Sequence, residues 1–184
     1  MSATLTKPMT ADELLHMPDD GWRYELVKGE LIQMAPTGDE DGQVTTELAM
    51  ALYSHVRKHN LGRVYAAETG FRLESNPDTV RAPDVAFVRR EVVEATGTLP
   101  GYRPGAPDLV VEVLSPHDRT RRVQAKVAQW LESGAQLVWV VSPKLHNVTV
   151  YRSLTDVVTL AEKNKLEGGD VLPGFEIQVA EIFA

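Results

Sequence analysis

The sequence has no cysteine and no long apolar run. Without cysteine, disulfide bonds, thiolate nucleophiles and cysteine-ligated zinc are excluded, and a reducing compartment such as the cytoplasm suits the chain. No apolar run approaches the roughly 20 residues that a membrane-spanning helix needs. The opening MSATLTKPMT also lacks the apolar core of a signal peptide. We therefore expect a soluble, cytoplasmic protein that does not enter a membrane.

An excess of positive charge is missing as well. The 184 residues include 19 Lys and Arg against 26 Asp and Glu, a formal net charge of -7. Broad, nonspecific binding to nucleic acid depends on clustered cations that release counterions from phosphates. The charge balance argues against such a basic face, so any contact with nucleic acid must be local.

Hydrophobic residues make up 43% of the sequence, enough for one domain with a sizeable core. Apolar periodicity predicts an α/β (α+β) fold in which helices flank a mixed sheet. In chain order we predict a short helix opened by a capping box at 10–13, a hairpin in 24–34, a helix from 42 to about 59, strands at 63–66, 71–73, 82–88 and 109–114, a helix from about 119 to 133, a strand at 137–141, and further short strands. A loop rich in Gly and Pro covers 97–107.

Glu112 interrupts an aliphatic run in the segment DLVVEVLSP, residues 108–116. Such a run is typical of a strand buried on both faces, where an isolated carboxylate costs several kcal/mol or more. Glu112 is therefore expected to be protonated, paired with a cationic side chain or bound to a metal ion. A purely structural ion pair is the alternative to a functional site.

Asp84 opens the preceding apolar strand directly after Pro83, 28 positions before Glu112 (112 − 84 = 28). If the two strands are neighbours, their carboxylates converge and repel one another unless a divalent cation lies between them. Mg²⁺ needs only one or two protein carboxylates, because water and substrate phosphate complete its coordination. The two acids together predict a magnesium site, although Asp84 alone also suits a turn after proline.

Lys126 lies on the helix that follows Glu112. Val123 and Trp130 mark the face of this helix that packs on the core, and Lys126 falls at the edge of that face. Its ammonium is expected to point towards the sheet. Lysines at helix edges commonly extend back to solvent, so the signal is the ordered combination of Asp84, Glu112 and Lys126 rather than the lysine alone.

The sequence resembles the Uma-two family of restriction-endonuclease-like proteins, in the PD-(D/E)XK nuclease superfamily. The resemblance rests on YELVKGELIQMAPTG, LGRVYAAETGFRL, RAPDVAFV, PDLVVEVLSPHDR, KVAQWLESGAQLVWVVSP and GGDVLPGFEI, which together extend over nearly the whole chain. It implies a single restriction-endonuclease-like domain over 1–184. Within that domain, 1–40 is expected to be an N-terminal helix and hairpin extension, and 41–184 the nuclease-like core.

The same resemblance implies an endonuclease site that uses Mg²⁺ or Mn²⁺ to hydrolyse nucleic acid, with DNA as the expected substrate. Asp84 and Glu112 match the metal carboxylates, and the main-chain carbonyl of Val113 is expected to complete the ligands. Lys126 matches the family lysine, displaced from the strand onto the next helix. Glu47 lies on the first long helix, where superfamily members often supply an acid, but it equally suits a solvated helix position.

Two places depart from the family pattern. Asp41 stands before Gly42 where the family commonly has a histidine, and we interpret it as a helix N-cap, with a metal ligand as the alternative. Arg119, Arg121 and Arg122 occupy the segment where the family often has an acid ahead of its lysine. They form a local basic patch that either grips phosphate or is a solvated helix face.

Two functions therefore stay open. Retention of Asp84, Glu112 and Lys126 favours a metal-dependent nuclease. The acidic net charge and Asp41 favour a catalytically inactive module of the same fold that binds nucleic acid or a protein partner. For this second function, a homodimer formed through its sheet edge or the 97–107 loop is a further expectation.

Overall fold

The computed structural model describes residues 7–116 and 118–184. Most of the segment compared with a signal peptide therefore lies outside the described residues. The elements are α1 (Ala11–Leu15), β1 (Arg23–Val27), β2 (Glu30–Met34), α2 (Asp39–His59), β3 (Gly62–Ala66), β4 (Phe71–Glu74), β5 (Thr79–Arg81), β6 (Val85–Arg89), α3 (Arg90–Thr96), β7 (Arg103–Pro104), β8 (Leu109–Val113), α4 (Thr120–Glu132), β9 (Leu137–Ser142), β10 (Asn147–Tyr151), β11 (Val157–Ala161), β12 (Lys165–Glu167), β13 (Glu176–Gln178) and α5 (Val179–Ile182).

A six-stranded mixed sheet forms the centre of the protein, in the order β11-β10-β9-β8-β6-β3. Only β8 and β9 are parallel within it, and α4 makes the crossover between them. Side chains alternate between the two faces of a strand, so β8 contributes to both layers. Val111 and Val113 join the core under α2, whereas Val110 joins the core under α4. By the same alternation, Glu112 faces α4.

A second sheet of five strands has the order β2-β1-β5-β4-β7. The N-terminal hairpin is not separate from the core, because β1 pairs with β5 through Leu26 opposite Val80. Leu26 and Val80 are buried together with Leu14 of α1, whose capping box at Thr10 and Glu13 is present as predicted. The hairpin thus lies beside the segment that leads into β6.

The mixed α+β architecture confirms the predicted fold class, with one correction to a strand. The strand predicted over 82–88 begins only at Val85, because β5 belongs to the five-stranded sheet and β6 to the six-stranded sheet. The chain crosses between the sheets at 82–84, and Pro83 at the crossing has no N–H to donate to a ladder. Asp84 therefore lies where the two sheets meet. The short elements β5, β7, α3 and α5 were not predicted.

Along the described ranges, no helix has both the length and the apolar character to cross a membrane.

Candidate functional site

Asp84 directly precedes β6, which is the neighbour of β8, the strand that carries Glu112. β6 runs antiparallel to β8 with Val85 opposite Val111, which places Asp84 beside the end of β8. The Asp84 main-chain N–H donates to the Val111 carbonyl at 3.1 Å, and its Oδ2 accepts from the Val113 N–H at 2.7 Å. Asp84 thereby extends the hydrogen-bond ladder between β6 and β8 by one residue before Val85, the first residue of β6.

The Val113 carbonyl is directed to the same side of β8 as Asp84. In a strand, the N–H and C=O of one residue point to the same side, and those of the next residue point to the other side. The Val113 N–H faces Asp84, whereas the Leu114 N–H donates to Val141 on β9 at 2.8 Å. The structure therefore brings a main-chain oxygen to the side of β8 that Asp84 borders.

Glu112 is buried, with 8% of its surface exposed, and both of its carboxylate oxygens accept hydrogen bonds. Lys126 Nζ donates to Oε2 at 2.8 Å, and Trp130 Nε1 donates to Oε1 at 2.7 Å. Burial raises the pKa of Glu112 to about 7 even though the Lys126 ammonium opposes the shift. Repulsion from Asp84 and from Glu25 adds to this rise in the pKa.

Lys126 lies between two carboxylates and points towards the sheet, as expected. Its Nζ is 2.8 Å from Glu112 Oε2 and 3.2 Å from Glu25 Oε1. Burial lowers the pKa of Lys126, but the attraction of Glu112 and Glu25 outweighs burial and leaves the pKa above its ordinary value. Lys126 is therefore an ammonium at neutral pH and acts as a hydrogen-bond donor.

Glu25 on β1 is the member of the site that sequence reasoning missed. Only 2% of Glu25 is exposed. It accepts from Arg81 at 2.6 Å and from the Ala82 N–H at 3.0 Å, in addition to its contact with Lys126. Burial raises its pKa, but Lys126 and Arg81 outweigh burial, so the pKa is below its ordinary value and the carboxylate is ionised. A charged residue beside buried Leu26 was the available signal, but only the pairing of β1 with β5 reveals its partners.

The charges of this cluster do not balance when all members are ionised. Three carboxylates (Asp84, Glu112 and Glu25) accompany two cations (Lys126 and Arg81), a sum of 2 − 3 = −1. Burial also raises the pKa of Asp84, although the Val113 N–H partly opposes that shift. The cluster therefore favours gain of a proton or a cation.

The donor atoms fit Mg²⁺ or Mn²⁺. These ions prefer hard oxygen ligands, and two carboxylates with a carbonyl are enough when water and phosphate fill the remaining positions. Asp84, Glu112 and the Val113 carbonyl provide such a set, and burial is the main cause that raises the pKa values of both acids. Over residues 7–116 and 118–184, no three His, Cys, Asp or Glu side chains converge to hold a metal on their own.

Helix α2 directs Asp41, rather than Glu47, towards the end of β8. Glu47 is exposed, and no side-chain hydrogen bond or ion pair of Glu47 occurs among the described residues, so its catalytic role stays a prediction. Asp41 is 4% exposed, and its Oδ2 accepts from Ser115 Oγ at 2.7 Å. The N-cap interpretation of Asp41 is wrong, because Gly38 is the N-cap and Asp41 is the third helical residue.

Arg119, Arg121 and Arg122 are exposed around the start of α4, one to two turns before Lys126. Arg119 occupies the N-cap without a side-chain capping bond, and the first turn of α4 has no acidic residue. Cations are unfavourable at this end of a helix, where the main-chain dipole is positive, whereas anions bind there readily. The patch therefore concentrates positive charge at a position that suits phosphate.

The sequence matches a protein-family model over most of its length. The family model described as "Uma2: Putative restriction endonuclease" matches residues 11–180. This chain belongs to the Uma2 family. The resemblance identified from the sequence motifs is therefore confirmed. The matched range includes the hairpin that carries Glu25.

A solved structure shares the fold of this Uma2 protein. It is described as the crystal structure of "a putative nuclease belonging to DUF820" from Anabaena variabilis, and it aligns with a TM-score of 0.81. The alignment covers 96% of this chain and 98% of that chain at 20% sequence identity, which establishes the common fold. No functionally curated protein matched the sequence.

Proposed function

We propose that this Uma2 protein is a divalent-metal-dependent nuclease that hydrolyses phosphodiester bonds of nucleic acid. The observation that carries the proposal is the convergence of Asp84, Glu112 and Lys126 at the junction of the two sheets, with Lys126 Nζ 2.8 Å from Glu112. The family description and the fold of the DUF820 protein support a nuclease-like function.

Asp84, Glu112 and the Val113 carbonyl are the groups that would hold Mg²⁺ or Mn²⁺. Such a cation lowers the pKa of a bound water and neutralises negative charge that develops on phosphate. Hydrogen bonds fix the orientation of these two carboxylates. The Val113 N–H donates to Asp84, and Trp130 Nε1 donates to Glu112.

Lys126 supplies a positive hydrogen-bond donor. Because the pKa of Lys126 is above its ordinary value, the side chain is unsuited to the role of general base at neutral pH. Its ammonium instead stabilises negative charge on the phosphate or orients the attacking water. The basic patch of Arg119, Arg121 and Arg122 positions the substrate by contacting its backbone phosphates. This local contact is compatible with a net charge of -7.

The test is cleavage of labelled single- and double-stranded DNA and RNA with Mg²⁺, with Mn²⁺ and with a chelator. We expect metal-dependent cleavage, with DNA as the preferred substrate. Asp84→Asn and Glu112→Gln should be inactive, whereas Glu176→Gln, an exposed carboxylate on β13, serves as the matched control. Absence of cleavage on every substrate with both metals would contradict the proposal.

A catalytically inactive module is the second candidate, because the hydrogen bonds of the cluster are already satisfied. Both Glu112 oxygens have donors, and Asp41, at the family's histidine position, is bonded to Ser115. Such a protein would bind nucleic acid or a protein partner without hydrolysis. Calorimetry with Mn²⁺ separates the candidates, because the nuclease must bind the metal and we expect no binding by the inactive module. The homodimer stays a prediction that sedimentation can test.

A further inference from the structure

We propose that Glu25 is a positioning residue, which holds the Lys126 ammonium in the active site independently of Glu112. The inference rests on the proposed nuclease function only for its catalytic consequence. The interaction itself does not depend on the reaction, because the Glu25 and Lys126 side chains are in contact at 3.2 Å within the fold. It assigns a role in the site to the N-terminal hairpin, which was expected to be an extension of the core.

The contacts of Glu25 restrict it to an indirect role. Its carboxylate accepts from Arg81 and the Ala82 N–H and contacts Lys126 at 3.2 Å, while 2% of the residue is exposed. A carboxylate so enclosed has no open side to present to a phosphate, and repulsion would oppose such a contact. Glu25 can therefore affect the reaction only through the cations that it holds.

Lys126 needs a second carboxylate because Glu112 also interacts with Trp130 and is a proposed metal ligand. Oε1 and Oε2 of Glu112 already accept from Trp130 and Lys126. If Glu112 also helps to hold a divalent cation, that cation reduces the attraction between Glu112 and the ammonium. Glu25 is the remaining carboxylate within ion-pair distance of Lys126 among the described residues. It keeps the ammonium in place when the charge of Glu112 is engaged elsewhere.

Arg81 stabilises Glu25 in this role. It bonds Glu25 at 2.6 Å and also donates through Nε to Gln129 at 2.8 Å. Gln129 lies three positions after Lys126, on the same side of α4. Glu25 and Arg81 therefore connect α4 to β1 and β5 at two consecutive turns, which fixes the position of Lys126 along the helix axis.

The direct test follows the Lys126 ammonium by lysine-selective ¹H–¹⁵N NMR in metal-free protein, with the signal assigned by its loss in Lys126→Met. In this metal-free protein, Glu112→Gln removes the charge of one of the two carboxylates that contact Lys126. We expect the signal to persist in Glu112→Gln and to be lost through solvent exchange in the double variant Glu25→Gln/Glu112→Gln. The matched control is Glu30→Gln/Glu112→Gln, because Glu30 is an exposed carboxylate on the same hairpin. Loss of the signal in Glu112→Gln alone, or its persistence in Glu25→Gln/Glu112→Gln, overturns the inference.

A second measurement does not depend on the fold of Glu25→Gln/Glu112→Gln. Turnover is compared in parent, Glu25→Gln, Lys126→Met and Glu25→Gln/Lys126→Met. We expect Glu25→Gln to lower kcat at least about 10-fold with little change in KM, and to cause no further loss when Lys126 is absent. Glu25→Asp, which keeps the charge, should restore part of kcat. Equal losses from Glu25→Gln in both backgrounds overturn the inference. An inactive parent that retains the NMR result instead rejects the nuclease proposal and leaves the positioning role in place.

Discussion

Two buried tryptophans on opposite faces of the six-stranded sheet have different surroundings. Trp139 on β9 packs in the apolar core under α2 with Phe175, at 5.7 Å between ring centroids, and its Nε1 has no hydrogen-bond partner within the described ranges. Trp130 on α4 is equally buried on the other face, and its Nε1 donates to Glu112 at 2.7 Å.

This difference shows how the two faces are specialised. The α2 face buries apolar surface so fully that an unpaired indole N–H is tolerated, at a cost typical of an unsatisfied buried donor. The α4 face places charged groups in its core, and each of them has at least one hydrogen-bond partner. The same strand, β8, serves both faces, with Val111 in the apolar core and Glu112 in the charged cluster.

The largest expected effect is loss of the proposed metal site on the α4 face. Glu112→Gln should abolish detectable Mn²⁺ binding by calorimetry, because a neutral amide replaces one of the two proposed carboxylate ligands. The amide oxygen can still accept from Trp130, so circular dichroism should show an intact fold. A variant that binds Mn²⁺ as tightly as the parent would remove Glu112 from the metal site.

The next effect separates the role of the Lys126 ammonium from that of the proposed metal ligands. Lys126→Met should lower kcat by more than about 10²-fold, as expected when one electrostatic stabiliser of a developing anion is lost. Methionine preserves most of the apolar packing on α4, and an ammonium does not bind a metal ion, so Mn²⁺ should still bind. Unchanged cleavage rates would reduce Lys126 to a structural partner of two carboxylates.

The comparison between the tryptophans is tested by matched substitutions. Trp130→Phe and Trp139→Phe remove the same atoms, but only Trp130→Phe leaves an oxygen of the buried Glu112, Oε1, without its donor. We expect Trp130→Phe to cost about 1–3 kcal/mol more free energy of unfolding than Trp139→Phe. Denaturant unfolding of the two metal-free variants gives this difference directly. Equal losses would mean that the Trp130 hydrogen bond contributes nothing to stability.

The pH dependence of stability provides a smaller effect. Burial raises the pKa of Glu112 to about 7 from the ordinary value of 4.5, so the folded protein retains a proton that the unfolded chain releases. The parent should therefore lose stability as pH rises from about 4.5 to 7, and little more above that range. The advantage of Glu112→Gln over the metal-free parent should grow across this window and then level off. Thermal melts from pH 4 to 8 measure it, and an advantage that does not change with pH would contradict the raised pKa.

The smallest expected effect concerns the basic patch. Arg122→Gln should weaken binding to nucleic acid about equally for all sequences, because a phosphate contact carries no base information. The slope of log K against log salt should fall in magnitude by about 0.9 for one lost phosphate contact. Lys144→Gln, which removes a cation from the turn after β9, is the control. An unchanged slope would mean that Arg122 is a solvated helix residue.

The sequence predicted those members of the charged cluster that stand out from a regular apolar pattern. A carboxylate inside an aliphatic run marked Glu112, and the position of Lys126 between Val123 and Trp130 predicted that its ammonium points towards the sheet. Glu25 could not be predicted in the same way, because its partners depend on the pairing of β1 with β5. Asp41 was interpreted wrongly because α2 begins at Asp39, and this shift changes a capping position into an inward-facing one. Local patterns carry no information on such non-local pairing.

The separation of Glu25 and Lys126 along the chain has a consequence during synthesis. The two residues lie 101 positions apart (126 − 25 = 101) yet meet at 3.2 Å. The ribosome releases the hairpin long before it releases α4, so every nascent chain that stops short of α4 lacks the ammonium between the two carboxylates. An incomplete polypeptide thus cannot assemble the cluster, whatever secondary structure it has already formed.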